Sequence, residues 1–115
     1  TNREVYRMFK RSSDYTASNG THLITTVKVS PESLTRCFGE PDESDGYKSS
    51  MEWLFEDGEG NVVTLYDWKS TKLYSPELPS ADILRVSPFM HEFHIGAHSS
   101  TVGHAFADWL VGEVS

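Results

Sequence analysis

One stretch of this chain leaves little freedom in how it folds. Met51, Trp53 and Phe55 alternate with Glu52, Leu54 and Glu56, and the run from Asn61 to Trp68 alternates again after Asp57-Gly58-Glu59-Gly60. A period of two belongs to a pleated strand, and two such runs joined through an Asp-Gly turn read as a β-hairpin. One side of that hairpin carries Trp53, Phe55, Val63 and Leu65. So much apolar area is unfavourable in water, and the rest of the chain has to supply a cover.

The C-terminal end offers one. Ser99 or Ser100 caps a helix in which Val102, Ala105, Phe106, Trp109, Leu110 and Glu113 recur at intervals of three and four, and only Glu113 in that stripe is polar. Before it, Phe89, His91, Phe93 and Ile95 share one side of a strand, with Glu92 and His94 on the other and Gly96 closing it. Residues 21–29 are dominated by Thr, Ile and Val and suit another strand. Ser30-Pro31-Glu32 then sets an N-cap, a first-turn proline and a first-turn acid in order, which predicts a two-turn helix over Pro31–Phe38, stopped by Gly39. Thr1-Asn2-Arg3-Glu4 has the form of a capping box, with Val5, Met8 and Phe9 at helical spacing, so residues 2–11 read as a short helix. Residues 12–20, 39–50 and 70–80 read as loops.

The expected fold is α+β. An antiparallel sheet of about four strands, with the hairpin at its centre, is covered by the C-terminal helix and two short N-terminal helices. A chain of 115 residues makes this a single domain over residues 1–115. On the uncovered face Glu52, Thr64, Tyr66, Trp68, Glu92 and His94 should collect, a mixture of aromatic and polar groups in place of a plain charged surface.

Charge narrows the partners. Ten Lys and Arg against seventeen Asp and Glu leave a net charge of −7, which disfavours direct binding to nucleic acid, where Lys and Arg must neutralise phosphates. No apolar run is long enough for a membrane span, and no segment has the form of a signal peptide, so a soluble intracellular protein is expected. Cys37, the one cysteine, permits neither an internal disulfide nor a cysteine-based zinc site. Its place near a helix C-terminus, where the dipole disfavours a thiolate nucleophile, points to a structural residue.

His91, His94, His98 and His104 draw attention as possible metal ligands, but His91 and His94 on a strand face opposite ways, and the spacing is not H-E-x-x-H. The expectation is one buried histidine, one at the strand end and two on the helix surface, with no metal and no cofactor. A hydrolase using His94 with Asp67 or Glu92 is the least supported reading, because no activated nucleophile is visible. Anion binding has more behind it. Residues 95–101 run from a strand through Gly96 to a helix start with Ser99 and Ser100, where free amides could meet a phosphate. Lys48, Lys69, His94 and His98 could stand nearby, and Tyr66 and Trp68 could stack on a base. The acids Asp42, Glu43 and Asp45 form a separate charged loop.

Gly39-Glu40-Pro41, Ser44-Asp45-Gly46-Tyr47-Lys48, the strand Glu52-Trp53-Leu54-Phe55 ending in Asp57-Gly58, Thr64-Leu65-Tyr66-Asp67-Trp68-Lys69 and His94-Ile95-Gly96 together form a pattern. It resembles a family of small uncharacterised proteins of tailed bacteriophages, built around G-E-P, a W-x-hydrophobic-x-F-x-D-G hairpin, Y-D-W/Y-K and W-H-I-G-G. The resemblance covers residues 39–100, and Phe93 and Ala97 stand where that pattern has Trp and the second Gly. It implies a phage protein acting in the bacterial cytoplasm that binds and blocks a host or defence factor, with no catalytic residues assigned. The leading expectation is therefore an acidic inhibitor that contacts a basic protein surface through Asp42, Glu43, Asp45 and the hairpin, the contact set extending over Lys48, Tyr66, Asp67, Trp68, Lys69, His94, Gly96 and Ser99. The alternative is a module that captures a nucleotide or cyclic nucleotide.

Overall fold

Five strands make one antiparallel sheet: β1 (Phe9–Ser12), β2 (His22–Val29), β3 (Glu52–Asp57), β4 (Val62–Tyr66) and β5 (His91–Ala97). A computed structural model describes residues 8–44, 46 and 48–115 of the chain. Among the described residues three α-helices accompany the sheet: α1 (Pro31–Phe38), α2 (Ala81–Arg85) and α3 (Ser100–Val114). The strand order is β1-β3-β4-β5-β2, so the hairpin and β5 lie inside and the two N-terminal strands form opposite edges.

The hairpin forms as its alternation requires, with Trp53 opposite Leu65 and Phe55 opposite Val63. Asp57 shapes its turn: Oδ1 accepts from the amides of Glu59 at 2.8 Å and Asn61 at 2.9 Å, and Oδ2 accepts from Asn61 Nδ2. β5 continues the pattern, placing Ile95 beside Leu65 and Ala97 beside Val63. Trp53, Phe55, Val63, Leu65, Phe93 and Ile95 are all fully buried under α3, whose Phe106 and Leu110 are buried with them. Phe55 and Phe106 rings lie 4.9 Å apart, and Phe55 also meets Trp109 edge-on at 6.0 Å. α1 forms where expected: Ser30 Oγ accepts from the Ser33 amide, Pro31 opens the helix, and Gly39, at φ +89°, ends it in a backbone region favoured by glycine.

Three expectations change. The sheet has five strands in place of about four, because Phe9–Ser12 is a strand where a helix was expected. Phe9 is buried against Phe106 at 5.1 Å and Trp109 at 5.5 Å, while Lys10 faces out, so the β3 ladder and the α3 rings override the helical spacing. The capping box at residues 1–4 and Val5 lie outside the described residues. α2 falls between the expected loop of residues 70–80 and the expected strand, where no element was expected: Ser80 Oγ caps it by accepting from the Ile83 amide, and Leu84 is buried. The strand after it begins at His91, so Phe89 is not part of its inner face but 77% exposed, and Gly96 lies within the strand rather than at its end. Among the described residues no helix is long and apolar enough to cross a membrane.

Strand order forces one more feature. Residues 13–21 join the two edge strands and must cross about 19 Å, four inter-strand spacings of roughly 4.8 Å. They do so as a Ser/Thr-rich strap carrying a 3-10 turn at Tyr15–Ser18, packed over β4 on the face opposite the helices. Leu54 points to that second face by alternation and is still fully buried.

Candidate functional site

The second face is a cleft of about 250 Å³. Its floor is laid by the ladder: Glu52 pairs with Tyr66 and Tyr66 with His94, while Leu54 pairs with Thr64 and Thr64 with Gly96. Thr64, Tyr66 and Gly96 line it, as the alternation of β4 and β5 predicts. A Cβ on Gly96 would stand 2.7 Å from Thr64 Oγ1, closer than side chains tolerate, so this glycine lets two rows of the floor close up. The strap and the start of β2 form one wall with Ser18, Thr21 and His22, and the segment before β3 forms the other with Ser44 and Ser49. Those wall residues are invisible as a group in the sequence, because the edge-to-edge crossing brings Ser18 and Thr21 over β4 while the Asp42–Glu52 bridge sets the segment of Ser44 and Ser49 opposite them.

Among the described lining residues Glu52 is the acidic group, and Ser44 Oγ donates to its Oε1 at 3.1 Å. Burial, and secondarily the charge of Glu52, push the Tyr66 phenol above its ordinary value, so it stays protonated. At the rim the aromatic set expected from the sequence assembles. Trp68 stacks on His94 with planes 20° apart and centroids at 5.7 Å, and Tyr66 meets both rings edge-on. Lys48 and Lys69 place their ammonium groups 5.7 Å from the Trp68 ring centre. Tyr66, Trp68, His94, Lys48 and Lys69 are thus brought together. The Tyr66 and Trp68 planes are 72° apart and Trp68 is already stacked, so they do not form the parallel platform that a base would need.

Asp67 lies elsewhere. It is fully buried, and its carboxylate accepts from the Ser50 amide and hydroxyl at 2.7 Å and from the Met51 amide at 3.0 Å. This fastens the segment entering the hairpin to the one leaving it, so Asp67 serves the fold and offers no surface contact. Of the acidic loop, Asp42 accepts from the Tyr15 hydroxyl at 2.7 Å and pairs with Arg11 at 3.1 Å, while its backbone bridges to Glu52. Burial and the Asp42 hydrogen bond hold the Tyr15 phenol far above its ordinary value. Glu43 is exposed, and Asp45 lies outside the described residues. The Gly39-Glu40-Pro41 motif belongs to the same clasp: Arg11 donates to the carbonyls of Phe38 and Glu40, and the Trp53 indole donates to the Gly39 carbonyl at 3.0 Å.

The proposed phosphate turn is separated from its expected helpers. Ala97 pairs with Val63 while Tyr66 pairs with His94, so Ser99 lies past one end of β4 and Trp68, Lys69 and Lys48 past the other. Ser99 Oγ accepts from the Val102 amide as an ordinary cap, and His98 Nε2 meets the Ala17 carbonyl of the strap at 3.0 Å. Of the histidines, none is fully buried: His91 is half-buried and bonded to Ser70 Oγ at 3.0 Å, His94 is in the aromatic set, and His98 and His104 are exposed. Burial draws His91 below its ordinary pKa against the opposing pull of Asp67 and Glu92. Cys37 is exposed, with Sγ 3.8 Å from the Glu113 carbonyl. Compared with known protein families and with curated proteins, the chain gives no match.

Proposed function

We propose that this chain is a binding protein of the small tailed-phage type, acting in the bacterial host cell by direct contact with a host or defence protein. One observation carries the reading: a strip of exposed large apolar side chains in the segment leading into β5. Ile83 is 65% exposed, Val86 67%, Phe89 77% and Met90 68%, all within eight residues. Ile83 and Val86, three apart, stand on the side of α2 away from the buried Leu84. Such a concentration of apolar surface marks a place where another protein binds. The net charge of −7 favours a partner with a basic surface and speeds their encounter at low salt. In this reading the acidic loop contributes through Glu43 and the general field, since Asp42 is engaged within the fold.

Affinity capture from host lysate tests it, with the wild type and a Phe89→Asp/Met90→Asp variant run side by side. Both positions are exposed, so the variant keeps the fold, which circular dichroism checks. A protein retained by the wild type and lost with the variant supports the reading. Equal retention by both removes the strip from the interface.

A further inference from the structure

We infer that the second-face cleft is a binding site for a small neutral polyol, either a free sugar or the ribose of a nucleoside. The argument rests on which hydrogen-bonding groups the walls have left to offer. Ser18 Oγ donates its proton to the Tyr15 carbonyl at 2.7 Å, and Thr21 Oγ1 donates to the Ser18 carbonyl at 2.9 Å. Ser44 Oγ donates to Glu52. Each of these wall hydroxyls has spent its one proton inside the protein, so what it turns toward a ligand is lone pairs. The Glu52 carboxylate is an acceptor as well. Tyr66, protonated, and Thr64 set hydroxyl groups in the floor, so the cleft offers acceptors on its walls and hydroxyls below, and it suits a guest that both donates and accepts, as the hydroxyls of a polyol do in several directions at once.

Charge and size sharpen the class. A phosphate would bring its negative charge to Glu52 and its acceptor oxygens to walls that already accept, so an anion does not fit here. A cationic amine would meet Lys48 and Lys69 at the rim beside Trp68. A neutral guest avoids both conflicts. The volume of about 250 Å³ lies just under the roughly 300–1,000 Å³ of pockets for drug-sized ligands, which suits a single sugar ring. The edges of Tyr66 and Trp68 supply apolar contact for its C–H groups, and the floor at Gly96 has no side chain to obstruct it.

Saturation-transfer NMR on the full chain tests this, with glucose, galactose, ribose, adenosine, guanosine, uridine and their 2′-deoxy counterparts as probes, and with inorganic phosphate and AMP as anionic controls. Transfer to a free sugar identifies one source of the polyol, and transfer to ribonucleosides with loss in the 2′-deoxy forms identifies the other. Glu52→Gln should weaken binding about tenfold, because a hydrogen bond to a charged acceptor is replaced by one to a neutral amide. Thr64→Val, which changes a floor hydroxyl to a methyl of similar size, should weaken it too. Amide shifts at Thr64, Tyr66 and Gly96 locate the guest, and unchanged melting temperatures show that both variants fold. Silence from every polyol, binding that requires the phosphate of AMP, or shifts confined to other residues would each overturn the assignment. None of the four apolar residues that carry the protein-contact reading lines this cleft, so the two proposals fail independently.

Discussion

The two faces of the sheet are built from the same strands and differ in how they are closed. On the helical face, Trp53, Phe55, Phe93 and Ile95 are sealed by the Phe106, Trp109 and Leu110 stripe, and stability comes from apolar area and close packing. On the other, a strap with no buried side chain in its 3-10 turn lies across Thr64 and Tyr66, held by hydroxyls and carboxylates. The first arrangement fills space and the second leaves it. An antiparallel sheet can thus use one face to be stable and the other to be occupied.

The largest test of that contrast is Trp53→Ala. It removes a fully buried side chain and should cost roughly 3–5 kcal/mol, read as a large drop in the denaturation midpoint. Tyr66→Phe, across the sheet, should cost less than about 1 kcal/mol. Comparable losses would mean that the cleft face carries as much of the stability as the core.

Asp67→Ala comes next. It strips three donors at Ser50 and Met51 of their acceptor in a buried site, at an expected cost of about 2–4 kcal/mol by chemical denaturation. Gly96→Ala should cost about 1–3 kcal/mol, because the new methyl meets Thr64 Oγ1. The double variant Gly96→Ala/Thr64→Ala should recover part of that loss. A double variant less stable than Gly96→Ala alone would show that the clash is not the cause.

Smaller effects separate the acids of the loop. Asp42→Lys should destabilise by roughly 1–2 kcal/mol, a value reduced by that residue's partial exposure, because it sets a cation against Arg11 and removes the Tyr15 acceptor. Glu43→Lys should change stability by less than about 0.5 kcal/mol. Last is His91, whose folded pKa lies below its unfolded value because of burial. As pH falls below about 6.5 the unfolded chain takes up this proton first, so stability is full above that pH and declines beneath it. Thermal melts of His91→Gln between about pH 7 and 5 should show a shallower decline than the wild type.

What the sequence discloses depends on how local the cause is. The hairpin is legible because its strands carry their own period and Asp57 builds the turn from residues within four positions. α1 is legible for the same reason, with cap, proline and stop all inside one segment. Phe9–Ser12 is too short to show a period, and its strand state is imposed by β3, more than forty residues away. The rim set of Tyr66, Trp68 and His94 follows from alternation alone. The cleft walls do not, since Ser18 reaches the cleft only through the strand order and Ser44 through the bridge of Asp42 to Glu52. The inward turn of Asp67 and the place of residues 95–101 are hidden for a related reason: sequence proximity to Trp68 or Gly96 says nothing about inward rotation or about which end of a strand a residue occupies.

Because β1 and β2 sit at opposite edges, the strap crosses the sheet face without joining its ladder. Among the described residues it is tied down at Tyr15 to Asp42 and at Ala17 to His98, while the Asp14 amide reaches back to Ser12 and bonds such as Thr21 to Ser18 stay within it. Lifting it would part those ties and leave the aromatic core shut, so the expectation is a local opening that costs less than global unfolding. Amide hydrogen exchange over residues 15–21 should therefore run faster than in β4 beneath, and a guest held in the cleft should slow it.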